Sequence, residues 1–268
     1  MGGKRCETPV LKTRSMPARL IALITFLWAI TGGDVHAAAR QPYILHTSNG
    51  NVAMECVAHC ADTARPTVLI LSGSKGFGSP AYDELGRSFE KAGLRAYLLH
   101  FLSSSDLDAI AHAGSSPARI RYYATRQSAW IAEVQAAVAH FNDHRHGNDT
   151  VGVLGISLGA EIAAAASADG TGISALVLVD GTFPEGYALP VHSLPPLHLI
   201  WGGADRTFPL PEGVDLQRRA RQLGHAASLS VYKGCEHDFF VRTDVPQAQD
   251  AHQDAARFFA SRFSTAGR

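Results

Sequence analysis

The residue most able to do chemistry is Ser157, in Gly155-Ile156-Ser157-Leu158-Gly159. The apolar run Val151 to Leu154 ends immediately before it, and an alanine-rich stretch, Ser157 to Ala166, follows. A strand, a sharp turn and a helix in that order would lift the serine hydroxyl clear of a sheet edge. Small residues on either side would give the turn room. A serine hydroxyl needs a base to become a nucleophile. His237 fits, in the loop Lys233-Gly234-Cys235-Glu236-His237-Asp238-Phe239. Asp205, in Gly202-Gly203-Ala204-Asp205-Arg206, fits as the acid that would orient the imidazole. Its rivals are Asp180 and Asp238. Asp205 is preferred because the glycines before it allow a turn that aims the carboxylate, and Asp238 adjoins His237 too closely to reach its Nδ1.

Acyl transfer also needs two N–H donors for a developing oxyanion. Leu158, the residue after the serine, is one candidate. The loop Ser72 to Ser79 supplies the second, with Ser74 preferred and Lys75 next. This loop lacks the spacing of a phosphate-binding G-x-x-x-x-G-K-[ST] motif. Phe77, Phe183 and Phe208 follow strand ends and are candidates for lining an acyl pocket, with core packing as the alternative. Arg119, Arg121 and Arg126 could grip a substrate carboxylate, but a solvated face is the preferred reading. His140, His144 and His146 sit at a helix end without a fourth ligand, so no metal is expected. No cofactor is implied.

Ser157, Asp205 and His237 must be brought together by the elements that carry them. Tyr43 to His46 and Asn51 to Val57 read as a hairpin around Asn49-Gly50. From Thr67 onward strands and helices alternate. The strands are Thr67 to Leu71, Arg95 to Phe101, Val151 to Gly155, Ala175 to Val179, Leu197 to Trp201 and Ser228 to Tyr232. The helices are Ala81 to Ala92, Thr125 to Phe141, Ser157 to Ala166, Leu210 to Leu223 and Val245 to Phe259. Short continuous apolar strands are those buried on both faces. The pattern therefore predicts an α/β domain: a mostly parallel sheet with helices on both faces and an antiparallel N-terminal hairpin. The three polar candidates then fall beyond the carboxyl ends of different strands, where open α/β sheets carry their sites. Leu102 to Ala118 is expected to be irregular.

The 268 residues are formally neutral, with 24 Lys+Arg against 24 Asp+Glu, which argues against a nucleic-acid binder. At 46% apolar and 18% charged the chain is not disordered. Lys4, Arg5, Lys12, Arg14 and Arg19 precede the apolar run Leu20 to Ile30 and the small-residue site Val35-His36-Ala37. These are the parts of a secretory signal peptide, with Met16 an alternative start. The run is too short to span a bilayer comfortably. Residues 1–37 are expected to be the leader and 38–268 the domain, periplasmic or secreted. In an oxidising compartment Cys56 and Cys60 could pair. On one continuous strand they would stand about 13 Å apart, so a bridge requires a turn near Ala58-His59. That question stays open. Cys235 is expected to be a buried structural cysteine and the one left over.

The chain resembles the α/β-hydrolases, whose triads run Ser, Asp, His in chain order. Within them it resembles the dienelactone-hydrolase-like group, over roughly Tyr43 to Phe259, because the domain is small and has no large lid insertion. Members of that group hydrolyse esters or lactones of small substrates. Dienelactone hydrolases proper carry Cys where this chain has Ser157, which favours a general carboxylesterase with a small-molecule ester as its partner. A serine peptidase or acyltransferase, or a silent binding module on the same fold, is the alternative.

Overall fold

The computed structural model describes residues 4–5, 40–47, 50–143, 150–187 and 191–266. The expected leader, apart from Lys4 and Arg5, lies outside these residues, as do Asn49, His144 and His146. The chain runs β1 (Lys4–Arg5), β2 (Gln41–Thr47), β3 (Gly50–Ala58), β4 (Thr67–Leu71), α1 (Ala81–Lys91), β5 (Arg95–Leu99), α2 (Ser104–Ala111) and α3 (Ser116–Asp143). It continues through β6 (Val151–Ile156), α4 (Leu158–Ser167), β7 (Ala175–Val179), β8 (Leu197–Gly202), α5 (Leu210–Gln222), β9 (Ala227–Lys233), a 3-10 turn (Phe239–Val241) and α6 (Pro246–Ala266).

One sheet has the order β1-β9-β8-β7-β6-β4-β5-β3-β2. From β4 to β9 neighbouring strands are parallel, while β3 pairs antiparallel with both β2 and β5. Strands β4 to β8 are buried along their whole length, which is why they read as mostly apolar runs, with Thr67, Arg95 and His198 the buried polar members. Two apolar layers cover the faces. Trp130, Val134 and Val138 of α3 pack with Ile162 and Ala163 of α4 and Leu216 of α5. On the other face Leu85 and Phe89 of α1 meet Ala255 and Phe259 of α6. The Phe89 and Phe259 rings are edge to face at 5.9 Å. Each fully buried ring of this kind contributes roughly 2–3 kcal/mol.

Cys56 and Cys60 form a disulfide with Cα atoms 5.7 Å apart. The required turn exists: β3 ends at Ala58, and His59 adopts a left-handed φ of 47°. Cys235 is buried, as expected, and in the full chain it is disulfide-bonded; the leftover cysteine is an expectation for residues 38–268 alone.

Leu102 to Ala118 is not irregular. It holds α2 and the start of α3, which begins nine residues before the expected Thr125. The sequence carries the signal in Ser103-Ser104-Ser105-Asp106. Ser103 Oγ accepts from the Asp106 N–H, and the Asp106 carboxylate accepts from the Ser103 N–H, a reciprocal cap. Asp106, 1% exposed, also accepts from Tyr122, Arg126 and Trp130. One carboxylate thus staples α2 to α3. These contacts hold its pKa well below the ordinary range against the opposing effect of burial.

Candidate active site

The chain turns sharply between β6 and α4. Ser157 sits there with φ 54° and ψ −118°, a conformation an L-residue holds only under constraint. Its N–H donates to Val179 O on β7 at 2.9 Å, and its carbonyl accepts from Ala160 and Glu161. The flanking glycines are steric requirements. A Cβ on Gly155 would run into Gly159 O and lie 2.6 Å from Ala160 Cα. One on Gly159 would lie 2.5 Å from Ser72 O.

The Ser157 hydroxyl is 3.0 Å from His237 Nε2. His237 Nδ1–H donates to Asp205 Oδ2 at 2.8 Å. The other Asp205 oxygen accepts from the N–H groups of Thr207 (2.7 Å) and Phe208 (3.0 Å). Asp205 therefore receives three donors, and its side chain is fully shielded from solvent. Burial alone would lower the His237 pKa. The Asp205 hydrogen bond and charge, with the nearby Asp180 and Asp238 charges, outweigh it and raise His237 above its ordinary value. The loop carrying His237 is pinned from several sides. Ala204 N–H donates to Cys235 O, and buried His252 Nε2–H donates to Phe240 O at 2.8 Å. Lys75 bridges to Asp238 at 2.9 Å, tying the loop after β4 to the histidine loop.

Asp180, at the end of β7, lies beside this relay. Ligand-capable atoms of Asp180, Asp205 and His237 all lie within 4.8 Å of one another, a spacing a metal could use. The donors do not suit one. Both His237 nitrogens and both Asp205 oxygens are engaged, and Asp180 Oδ1 accepts from Gly202 N–H at 2.7 Å. Only Asp180 Oδ2 has no partner among the described residues.

Ser157 and His237 open onto a cleft of about 1220 Å³. Ser74, Lys75, Leu158, Phe183 and Phe208 line it. Leu158 opens α4, so its N–H has no acceptor within the helix. The Phe208 ring stands 5.8 Å from the His237 ring. Phe77 does not line the cleft. The chain reverses at left-handed Gly76, and Phe77 packs inward, edge to face on Tyr82 (4.8 Å) and His100 (5.0 Å). The arginines divide: Arg119 and Arg121 line the cleft, while Arg126 is bound to Asp106. His140 meets Tyr43 OH.

Sequence reasoning missed the acidic wall of Glu161, Glu185 and Glu212. Glu161 was findable, one helical turn after Ser157 and so on the same face. Burial pushes its carboxyl up to about 7, with the charges of Glu212 and Glu185 adding to the effect.

A family model described as the dienelactone hydrolase family matches residues 58–266. No curated protein matches the chain. Among solved structures, a provisionally assigned dienelactone hydrolase from Klebsiella pneumoniae is similar at a TM-score of 0.65 and 15% identity, over 83% of this chain and 97% of that one. A dienelactone hydrolase from Anabaena variabilis gives 0.58 and 20%, over 84% and 98%. A thermophilic esterase from Thermogutta terrifontis, solved with propionate bound, gives 0.54 and 18%, over 84% and 95%. At these identities the structures speak for the fold.

Proposed function

The chain belongs to the dienelactone hydrolase family and is a hydrolase acting on ester bonds; from that premise we propose that it cleaves small carboxylic esters or lactones through an acyl-enzyme on Ser157. The observation that carries this reading is the continuous relay from Ser157 Oγ through His237 to Asp205, at 3.0 Å and 2.8 Å. His237 Nε2 takes the hydroxyl proton as Oγ attacks the ester carbonyl carbon. The tetrahedral oxyanion accepts from the N–H of Leu158 and from that of Ser74 or Lys75. Collapse expels the alkoxide, which His237 protonates. Water then attacks the acyl carbon by the same route and frees the acid and Ser157. Asp205 fixes the imidazole tautomer through its bond to Nδ1–H and stabilises the imidazolium.

Phe183 and Phe208 line the cleft, Phe208 beside the His237 ring, and these walls suit a compact acyl group. The propionate in the Thermogutta esterase supports a short chain as well. Serine in place of a cysteine nucleophile favours general carboxylesters over a specialised lactone. We further propose export on the leader of residues 1–37. The Cys56–Cys60 disulfide supports an oxidising compartment. Among the described residues no helix is long and apolar enough to cross a membrane.

The test is turnover of p-nitrophenyl acetate and butyrate by the protein and by Ser157→Ala, with labelling by a fluorophosphonate probe. Turnover and a probe adduct on Ser157, both lost in the variant, are expected. Folded protein that neither turns over these esters nor labels would overturn the reading. Peptide cleavage in place of ester cleavage would replace it with a peptidase.

A further inference from the structure

Two carboxyl groups stand beside one imidazole, and their surroundings differ. Asp205 receives three hydrogen bonds: two from backbone N–H groups and one from His237. Asp180 receives one, from Gly202 N–H. Asp180 is 1% exposed, its Oδ2 has no partner among the described residues, and it takes a left-handed φ of 48°. The groups facing it are Gly202 N–H and Asp205 from β8 and the turn after it, and His237 and Asp238 from the loop after β9. Two like charges this close cannot both be ionised cheaply, and the carboxyl with more hydrogen-bond donors takes the charge.

We propose that Asp180 is a positioning residue: a neutral carboxylic acid that holds the Asp205 turn through Gly202 and keeps a second negative charge away from the Asp205–His237 pair. Its Oδ1 accepts the N–H of Gly202, three residues before Asp205. The Asp180 N–H donates to Ile200 O at 3.1 Å, so the residue clasps the end of β8 at two points. Burial, with the Asp205 charge adding to it, pushes the Asp180 carboxyl up to about 8. This inference rests on the triad reading for its catalytic consequence, but the protonation state of Asp180 can be read without it.

The experiment compares the wild type with Asp180→Asn, which keeps an accepting oxygen and cannot ionise, and Asp180→Leu, which keeps neither. Infrared difference spectra at pH 7 should show the C=O stretch of a protonated acid in the wild type and not in Asp180→Asn. A lost carboxylate band instead would overturn the proposal. Stability to denaturant gives a second readout. A proton held up to about pH 8 when folded is released near pH 4 when unfolded, so wild-type stability relative to Asp180→Asn should fall as pH rises across that window. A flat difference would overturn the neutral state. In ester turnover, Asp180→Asn should stay within about threefold of wild type, since geometry is kept. Asp180→Leu should lose about 10- to 100-fold in kcat with little change in KM, the expected cost of a displaced base. The downfield His237 Nδ1–H proton resonance should persist in Asp180→Asn and shift or broaden in Asp180→Leu. Equal turnover by both variants, or an equal loss in both, would overturn the positioning role. If Asp180→Leu does not fold, the Asp180→Asn spectra and stability profile still decide the protonation state, and an unchanged Nδ1–H resonance with a loss beyond threefold in Asp180→Asn would refute the positioning claim. A wild type that fails to label on Ser157 would remove the triad reading and leave the infrared and stability results standing.

Discussion

Asp205→Asn is the sharpest perturbation of the relay, because the structure dictates which way the amide must face. The Asp205 oxygen that accepts from Thr207 and Phe208 N–H is remote from His237. An asparagine that keeps those two bonds turns its NH2 toward His237 Nδ1. A donor there requires an unprotonated Nδ1, so the ring proton moves to Nε2, pointing at Ser157, and the base is lost. The opposite flip restores the tautomer but aims NH2 at two backbone N–H groups. Leaving both without an acceptor costs about 1–3 kcal/mol each, or roughly 2–6 kcal/mol in all. At about 1.4 kcal/mol per decade, the competent orientation is depleted by roughly 30- to 20,000-fold. Loss of the anion beside the imidazolium adds to this, so kcat should fall by about 10³–10⁴, in line with the ~10⁴ loss for the corresponding change in serine proteases. The assay is p-nitrophenyl ester turnover from pH 5 to 9, with a melting curve to show the fold is kept. The Asp205 hydrogen bond and charge raise the His237 pKa, so residual activity should show its acid limb at lower pH than the wild type. Activity within tenfold of wild type, with the limb unmoved, would refute the assignment. A large loss in Asp180→Asn alongside it would transfer the acid's role to Asp180.

Gly159→Ala places a Cβ against Ser72 O and Leu71 O, both backbone atoms that cannot give way. It should lower stability by about 1–3 kcal/mol, a Tm drop of several degrees, and depress fluorophosphonate labelling, both read on purified protein. His252 is fully buried, its Nε2–H is committed to Phe240 O, and burial pulls its pKa down to about 4. The unfolded histidine takes a proton near pH 6.5 and the folded one only near 4, so denaturant stability should fall as pH drops from 6.5 to 4, by about 3 kcal/mol at 1.36 kcal/mol per unit. His252→Gln, which can still donate to Phe240 O, should flatten that slope. Asp106→Ala leaves Arg126, Tyr122 and Trp130 without their shared acceptor. It should cost about 1–3 kcal/mol by thermal or urea unfolding. KM should rise as α2, which contributes Leu107 and Ile110 to the cleft, loosens.

The elements nearest the site were the most legible in the sequence. β4, β6, β7 and β8 are short apolar runs because both faces are covered, and each ends in a glycine- or aspartate-bearing turn that the site uses. G-x-S-x-G needed its strand and helix to mean anything, and the reason is now visible in the overlap a Cβ would make at Gly155 and Gly159. Asp205 was chosen over Asp180 from the glycines before it. The structure gives Asp205 the bond to His237 and leaves Asp180 a single backbone N–H. Pattern failed where a polar residue faces inward. Asp106 looked like loop composition, yet it is the buried staple of α2 and α3. Phe77 followed a strand end like Phe183 and Phe208, but one left-handed glycine turned it into the core. The walls formed by Glu161, Glu185 and Glu212 come from three separate elements, and only tertiary packing brings them to one cleft.

The most direct test of the account is mass spectrometry of the protein quenched in acid within the first turnovers of p-nitrophenyl butyrate. The account predicts a butyryl adduct on the peptide containing Ser157, formed and lost with the kinetics of turnover and absent from Ser157→Ala. Turnover with the adduct on another residue, or undiminished turnover by Ser157→Ala, would contradict it.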